Sequence, residues 1–125
     1  MGKRRIVLAC IEHNGQILLT QLSNGSLSGK WEFPGGEVEE KETDKEAIVR
    51  EIYKKMNISV KCDYKMCQKE YKDTELVLYH CSYISGEVVL HNLANHIYVD
   101  KKILHSYDFN PIEIPFVNYV MKEQV

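Results

Sequence analysis

The 125 residues predict a single domain, long enough for a real core and too short for two. A hydrophobic fraction of 44% and a charged fraction of 27% are those of an ordinary soluble globular chain. The net charge of −2 leaves no global electrostatic case for a nucleic-acid polymer as partner, and the acidic excess gathers between Glu37 and Glu46.

Lys3-Arg4-Arg5 followed by an apolar run imitates the basic start of a leader. The run stops at Glu12, too short for a signal peptide or a span, so the expectation is a cytoplasmic protein with no membrane partner. Residues 4–13 are rich in β-branched side chains and read as a strand. Asn14-Gly15 is a two-residue hairpin turn, and residues 16–21 form the antiparallel return. Cys10, Cys62, Cys67 and Cys81 form no CxxC pair and sit in strand-like surroundings, which predicts buried reduced thiols.

After a loop at 23–29 comes Trp31-Glu32-Phe33-Pro34-Gly35-Gly36. Two glycines after a proline permit positive φ and close backbone approach, which a Cβ would resist. Thr43 with Glu46 three residues on is a capping box, so a helix is predicted from Asp44. Asn57 is placed to end it. Ala47, Ile48, Ile52 and Met56 recur at helical spacing and define its buried face.

Residues 58–62 and 64–71 read as extended, with a turn at Lys72-Asp73. Residues 75–85 form the clearest later strand, apolar on both faces and therefore central, with Val77, Tyr79 and Cys81 opposite Leu76, Leu78 and His80. His80 reads as a satisfied core histidine. Short strands are expected at 87–91 and 96–99, then a short helix capped by Asp100. A loop at 107–115 leads into a closing helix at 116–122.

Gly36, five residues, Glu42, seven residues, then Arg50-Glu51-Ile52 and a close on Ile58 resembles the Nudix box. Trp31 to Gly36 resembles its MutT-like branch, whose members hydrolyse nucleoside triphosphates. The resemblance implies an α/β fold, the Nudix α/β/α sandwich around a mixed β-sheet, in one domain spanning 1–125 with its box at 36–58. It also implies Mg²⁺ (or Mn²⁺) as cofactor and a nucleotide or other phosphorylated small molecule as ligand. By the same resemblance Glu51 is the catalytic candidate. Glu51, the Gly36 carbonyl and Glu42 are the metal candidates, and Phe33, Tyr79, Lys54, Lys55 and Glu113 the substrate-binding ones.

The chain departs from that pattern in its last third. Lys54-Lys55 stand where the family has Glu-Glu, and Asn57 where it has Gly. Helical positions 51, 54 and 55 span only about 100° of arc, so three acids there would converge on a metal cluster. Here Glu51 alone is acidic. The segment 91–96, where the branch often carries a further metal-binding Glu, has no carboxylate, and Gln21-Leu22 occupies the place of an Arg that touches phosphate. Two readings of the lysines stand: helix-end charges favoured by the dipole, or phosphate ligands. Two readings of Glu113 also stand: acceptor for a base amino or ring N–H group, or cap of the last helix. The chain is then either a pyrophosphohydrolase with weak or lost activity or a non-catalytic nucleotide-binding module.

Overall fold

A computed structural model describes residues 3–122. Strands β1 (Arg4–His13), β2 (Gln16–Leu22), β3 (Trp31–Glu32) and β4 (Gly35–Glu37) precede helix α1 (Asp44–Met56). Then come β5 (Ser59–Tyr71), β6 (Thr74–Ser85), β7 (Leu93–Asp100), 3₁₀ turns at Lys101–Ser106 and Pro111–Glu113, and helix α2 (Ile114–Lys122). The seven strands make one mixed sheet in the order β3-β2-β1-β6-β5, with β4 on β1 and β7 on β2. Among the described strands β1 and β6 pair in parallel and the other pairs are antiparallel.

The central strands bury both faces, so their side chains alternate between two cores. Val7, Ala9, Ile11, Val77 and Cys81 meet Ala47, Ile48, Ile52 and Met56 of α1. Leu8, Cys10, Leu76 and Leu78 face the other way, onto Phe116, Val117 and Val120 of α2. This is the expected α/β/α sandwich around a mixed sheet. Cys10, Cys62 and Cys81 are buried thiols and Cys67 is half-buried. Among the described residues no helix is long and apolar enough to cross a membrane.

The box helix begins and ends as its sequence predicts. The Glu46 amide donates to the Thr43 hydroxyl (3.2 Å), the Thr43 amide donates to the Glu46 carboxylate (2.9 Å), and Asn57 closes the helix in the left-handed region at φ 61°. Its first turn is tied to the sheet by charge. Arg5 on β1 donates to both oxygens of Asp44 (2.7 Å each) and to Glu75 on β6 (3.1 Å), and the Tyr79 hydroxyl donates to Asp44 (2.7 Å).

Two stretches differ from expectation. Residues 87–91 are not a strand: the Val89 and His91 amides donate to the Met56 and Lys55 carbonyls (3.0 and 2.9 Å). The segment completes the last turn of α1, whose terminal carbonyls lack intrahelical donors, and so has fewer amides for a ladder. β7 begins earlier than expected, at Leu93, because it pairs with the whole of β2. Residues 59–71 hold one long strand rather than two, its register shifting after Ser59, at Asp63 and at Met66. The shift at Asp63 is tied by side chains. There the side chain accepts from Ser82 (2.7 Å) and lies 2.9 Å from His80 Nδ1, while His80 Nε2 lies 3.0 Å from Glu12 and Tyr64 stacks on the ring.

Thr43→Ala should lower stability by about 1 kcal/mol, the usual worth of a helix cap, read from urea midpoints. The Arg5 guanidinium, aided by the Tyr79 hydroxyl, holds the Asp44 carboxyl below its ordinary range. A depressed folded-state pKa contributes stability present above the unfolded value of about 3.9 and lost as pH falls through the folded value. Asp44→Asn should therefore be destabilising at pH 6, with the gap to the natural protein closing toward pH 2. A gap independent of pH would show that the ion pair does not contribute.

Candidate functional site

The site starts from the two glycines. Gly35 and Gly36 lie on β4 opposite Leu8 and Val7 of β1. Neither has positive φ; that part of the sequence expectation is corrected, since both are strand residues rather than a left-handed turn. What they supply is close approach. A Cβ on Gly35 would overlap the Val7 carbonyl, and one on Gly36 would overlap the Glu51 carboxylate. β4 therefore lies directly against β1 and α1, and Glu51 is packed under it, only 8% exposed.

Glu51 Oε2 is 3.5 Å from Arg50 Nη1, whereas Oε1 is buried with no hydrogen-bond partner. One turn along α1, Lys55 reaches back over the helix and its ammonium donates to the Gly35 carbonyl. Beside them opens a cavity of about 330 Å³ walled by Glu32, Gly35, Gly36, Glu51, Lys55 and Glu113. A second cavity of about 240 Å³, bordered by Lys54, His91 and Asn92, shares Leu22, Glu32 and Lys55 with it. Glu113 belongs to the first cavity, its acidic end, and Lys54 and His91 to the second, while Glu32 and Lys55 border both.

At the acidic end Glu113 is fully withdrawn from solvent, and its Oε1 accepts from the Phe33 amide (2.9 Å). Burial pushes its carboxyl well above the ordinary range, and neighbouring Glu32 adds to the rise. Burial likewise pushes Glu32 up to about 7, with Lys55 pulling against it. Two carboxyls of raised pKa side by side supply both an O–H donor and oxygen acceptors near neutral pH.

The structure brings Gly36, Glu51, Lys55 and Glu113 to one cavity and Lys54 to its neighbour. Three of the sequence candidates go elsewhere. The Phe33 ring is buried in the α2-side core against Phe109, centroids 5.5 Å apart, so only its amide serves the site. Tyr79 points to the α1 side, where its hydroxyl is held by Asp44. Both oxygens of Glu42 are taken by Arg50 (2.6 and 2.9 Å), which also donates to the Glu37 carbonyl (3.0 Å); the pair braces the loop before α1. The capping reading of Glu113 also fails, because its carboxylate goes to Phe33 of another element. Sequence reasoning missed Glu32, whose only signal is its alternation between Trp31 and Phe33. The carbonyl that the Lys55 ammonium meets is that of Gly35, next to the Gly36 carbonyl named as a metal candidate.

The donor set does not fit a divalent metal. The described residues contain no group of three or more His, Cys, Asp or Glu arranged to hold an ion. Mg²⁺ needs several hard oxygen ligands, and Glu51, the one acid among helix positions 51, 54 and 55, lies beside a carbonyl already bound by an ammonium. An ammonium in the same cup repels a dication, by several kcal/mol for charges ~4 Å apart at an effective dielectric of ~20.

A model of the NUDIX domain matches residues 2–95. The chain is 33% identical over 64 residues to an 8-oxo-dGTP diphosphatase of Proteus vulgaris, a match covering 48% of this chain and 57% of that enzyme's length. It is 26% identical over 121 residues to the CTP pyrophosphohydrolase of Escherichia coli strain K12, covering 93% of this chain and 90% of the relative. The solution structure of the E. coli ORF135 protein superposes with a TM-score of 0.83 at 26% identity, covering 100% of this chain and 93% of that one. A NUDIX hydrolase from Nitrosomonas europaea, at 19% identity and a TM-score of 0.84 over 99% of this chain and 73% of that one, shares the fold. With the sandwich, the glycine-packed β4 and the box helix in place, the chain belongs to the Nudix family, whose members generally act with a divalent metal.

Proposed function

We propose that this chain, acting as one cytoplasmic domain, is a MutT-like nucleotide-binding protein in which pyrophosphohydrolysis is slow or lost. The observation that carries the reading is the gradient of charge along the cleft: Glu113 lines one cavity, Lys54 and His91 the other, and Glu32 and Lys55 lie between them, bordering both. A base edge carries amino and ring nitrogen groups that suit the carboxyl pair, and a polyphosphate suits the ammonium groups. The names of the two relatives, one for CTP and one for 8-oxo-dGTP, support a nucleoside triphosphate as ligand class.

Hydrolysis in this family depends on acidic ligands that hold Mg²⁺ or Mn²⁺, which when bound supply charge neutralisation and an activated water. Glu51 is the box-helix carboxylate of this chain that lines the cavity, and its Oε1 is buried without a hydrogen-bond partner. The protein, assayed for pyrophosphate release against a panel of nucleoside triphosphates with Mg²⁺ and with Mn²⁺, should turn over far below the typical enzyme value of ~10 s⁻¹. Turnover near that value on any of them would overturn the reading.

The acidic end predicts a pH dependence. Burial pushes the Glu32 carboxyl up to about 7 against the pull of Lys55, so it passes from carboxyl to carboxylate as pH rises through neutrality. The carboxylate is the better acceptor for an amino group, so affinity for cytidine or adenosine nucleotides should rise between pH 6 and 8. The rise should vanish in Glu32→Gln, as measured by calorimetric titration. An identical pH profile in that variant would remove Glu32 from base recognition.

A further inference from the structure

We propose that the Lys55 ammonium is a built-in cation standing in for the divalent metal, so that the cleft takes nucleotides free of Mg²⁺ rather than their metal chelates. The inference rests on the nucleotide-binding reading above and specifies the ligand's chemical form.

Three observations converge on it. The backbone at Lys55 is held: its carbonyl accepts from the His91 amide (2.9 Å), the adjacent Met56 carbonyl accepts from Val89, and Asn57 ends the helix two residues later. The side chain is half-buried and committed, its ammonium donating to the Gly35 carbonyl instead of extending into water as a solvated helix-end charge. The surroundings carry negative charge: Glu32, whose ionised form Lys55 favours, and Glu51, packed against the adjacent Gly36, line the same cavity as the ammonium.

An ammonium has three N–H donors, and the Gly35 carbonyl takes one. The other two suffice for phosphate oxygens, and Lys54 adds a second charge in the adjoining cavity. A Lys is a compact point charge that needs no chelating geometry from its anion. A Mg²⁺ already bound to the nucleotide would approach Lys55 with like charge and would occupy the phosphate oxygens the ammonium needs. Divalent metal therefore competes with this site, the reverse of its role in a metal-dependent hydrolase.

Calorimetric titration of the full chain with CTP and with inorganic tripolyphosphate, in chelator and again with excess Mg²⁺, tests the proposal. Binding is expected in chelator and should weaken several-fold with Mg²⁺. Lys55→Met should weaken binding in chelator about tenfold or more, the usual loss for a charge-assisted hydrogen bond, while its thermal melt reports that it is folded. Binding of CTP that requires Mg²⁺, or equal chelator affinity in folded Lys55→Met, overturns this inference and leaves the nucleotide reading standing. Absence of CTP binding under both conditions overturns both. The comparison with and without Mg²⁺ on the natural protein decides the matter even if the variant fails to fold.

Discussion

Everything at the cleft depends on how closely β4 lies against β1 and α1. Gly35 and Gly36 leave no room for a Cβ on either side, one meeting a β1 carbonyl and the other the Glu51 carboxylate. Because the backbone comes this near, Glu51 is buried, the Gly35 carbonyl comes within reach of a side chain one helical turn further along, and the Phe33 amide lies against Glu113. A single methyl group at Gly36 would displace the carboxylate and with it the wall of the cavity.

That packing also shows why the two lysines of the box are not equivalent. They are neighbours in sequence, but successive helical positions are about 100° apart, so the half-buried Lys55 reaches the Gly35 carbonyl of β4 while the exposed Lys54 borders only the second cavity. An exposed helix-end lysine contributes only a few tenths of a kcal/mol through the dipole or an i,i+4 pair. Lys55 instead makes a charge-assisted hydrogen bond in a half-buried cup, where it is electrostatically coupled to Glu32. The substitution of lysine for a box carboxylate is thus integrated into the structure, with a carbonyl already serving as its partner.

The carboxyl pair of the cleft follows a different rule. Glu32 and Glu113 are brought together from elements far apart in the chain, β3 and the turn before α2, and their mutual burial sets both protonation equilibria. The brace on the far side of α1, Arg5 with Asp44, Glu75 and Tyr79, does comparable work for the fold. It fixes the helix N-terminus to two central strands while the amides of 89 and 91 fix its C-terminus. The helix that carries Glu51 and Lys55 is therefore anchored at both ends, which suits a site whose groups must hold their positions.

Local chemistry by itself determined much of this molecule. The Asn14-Gly15 turn, the Thr43–Glu46 capping box, the Asn57 terminator and the two-faced burial of the central strands were all legible because each is specified by residues within a few positions of one another. The box spacing identified the family for the same reason. Tertiary structure alone decided where Phe33, Tyr79 and Glu42 point, since a ring or carboxylate of the right type faces core or cleft according to strand pleat and the partners that reach it first. It alone decided that residues 87–91 close α1 rather than form a strand, because the helix's unpaired carbonyls compete for the same amides. The pairing of Lys55 with Gly35 and of Glu32 with Glu113 was likewise invisible in the sequence: these contacts join residues 20 and 81 positions apart, and only the folded chain brings them together.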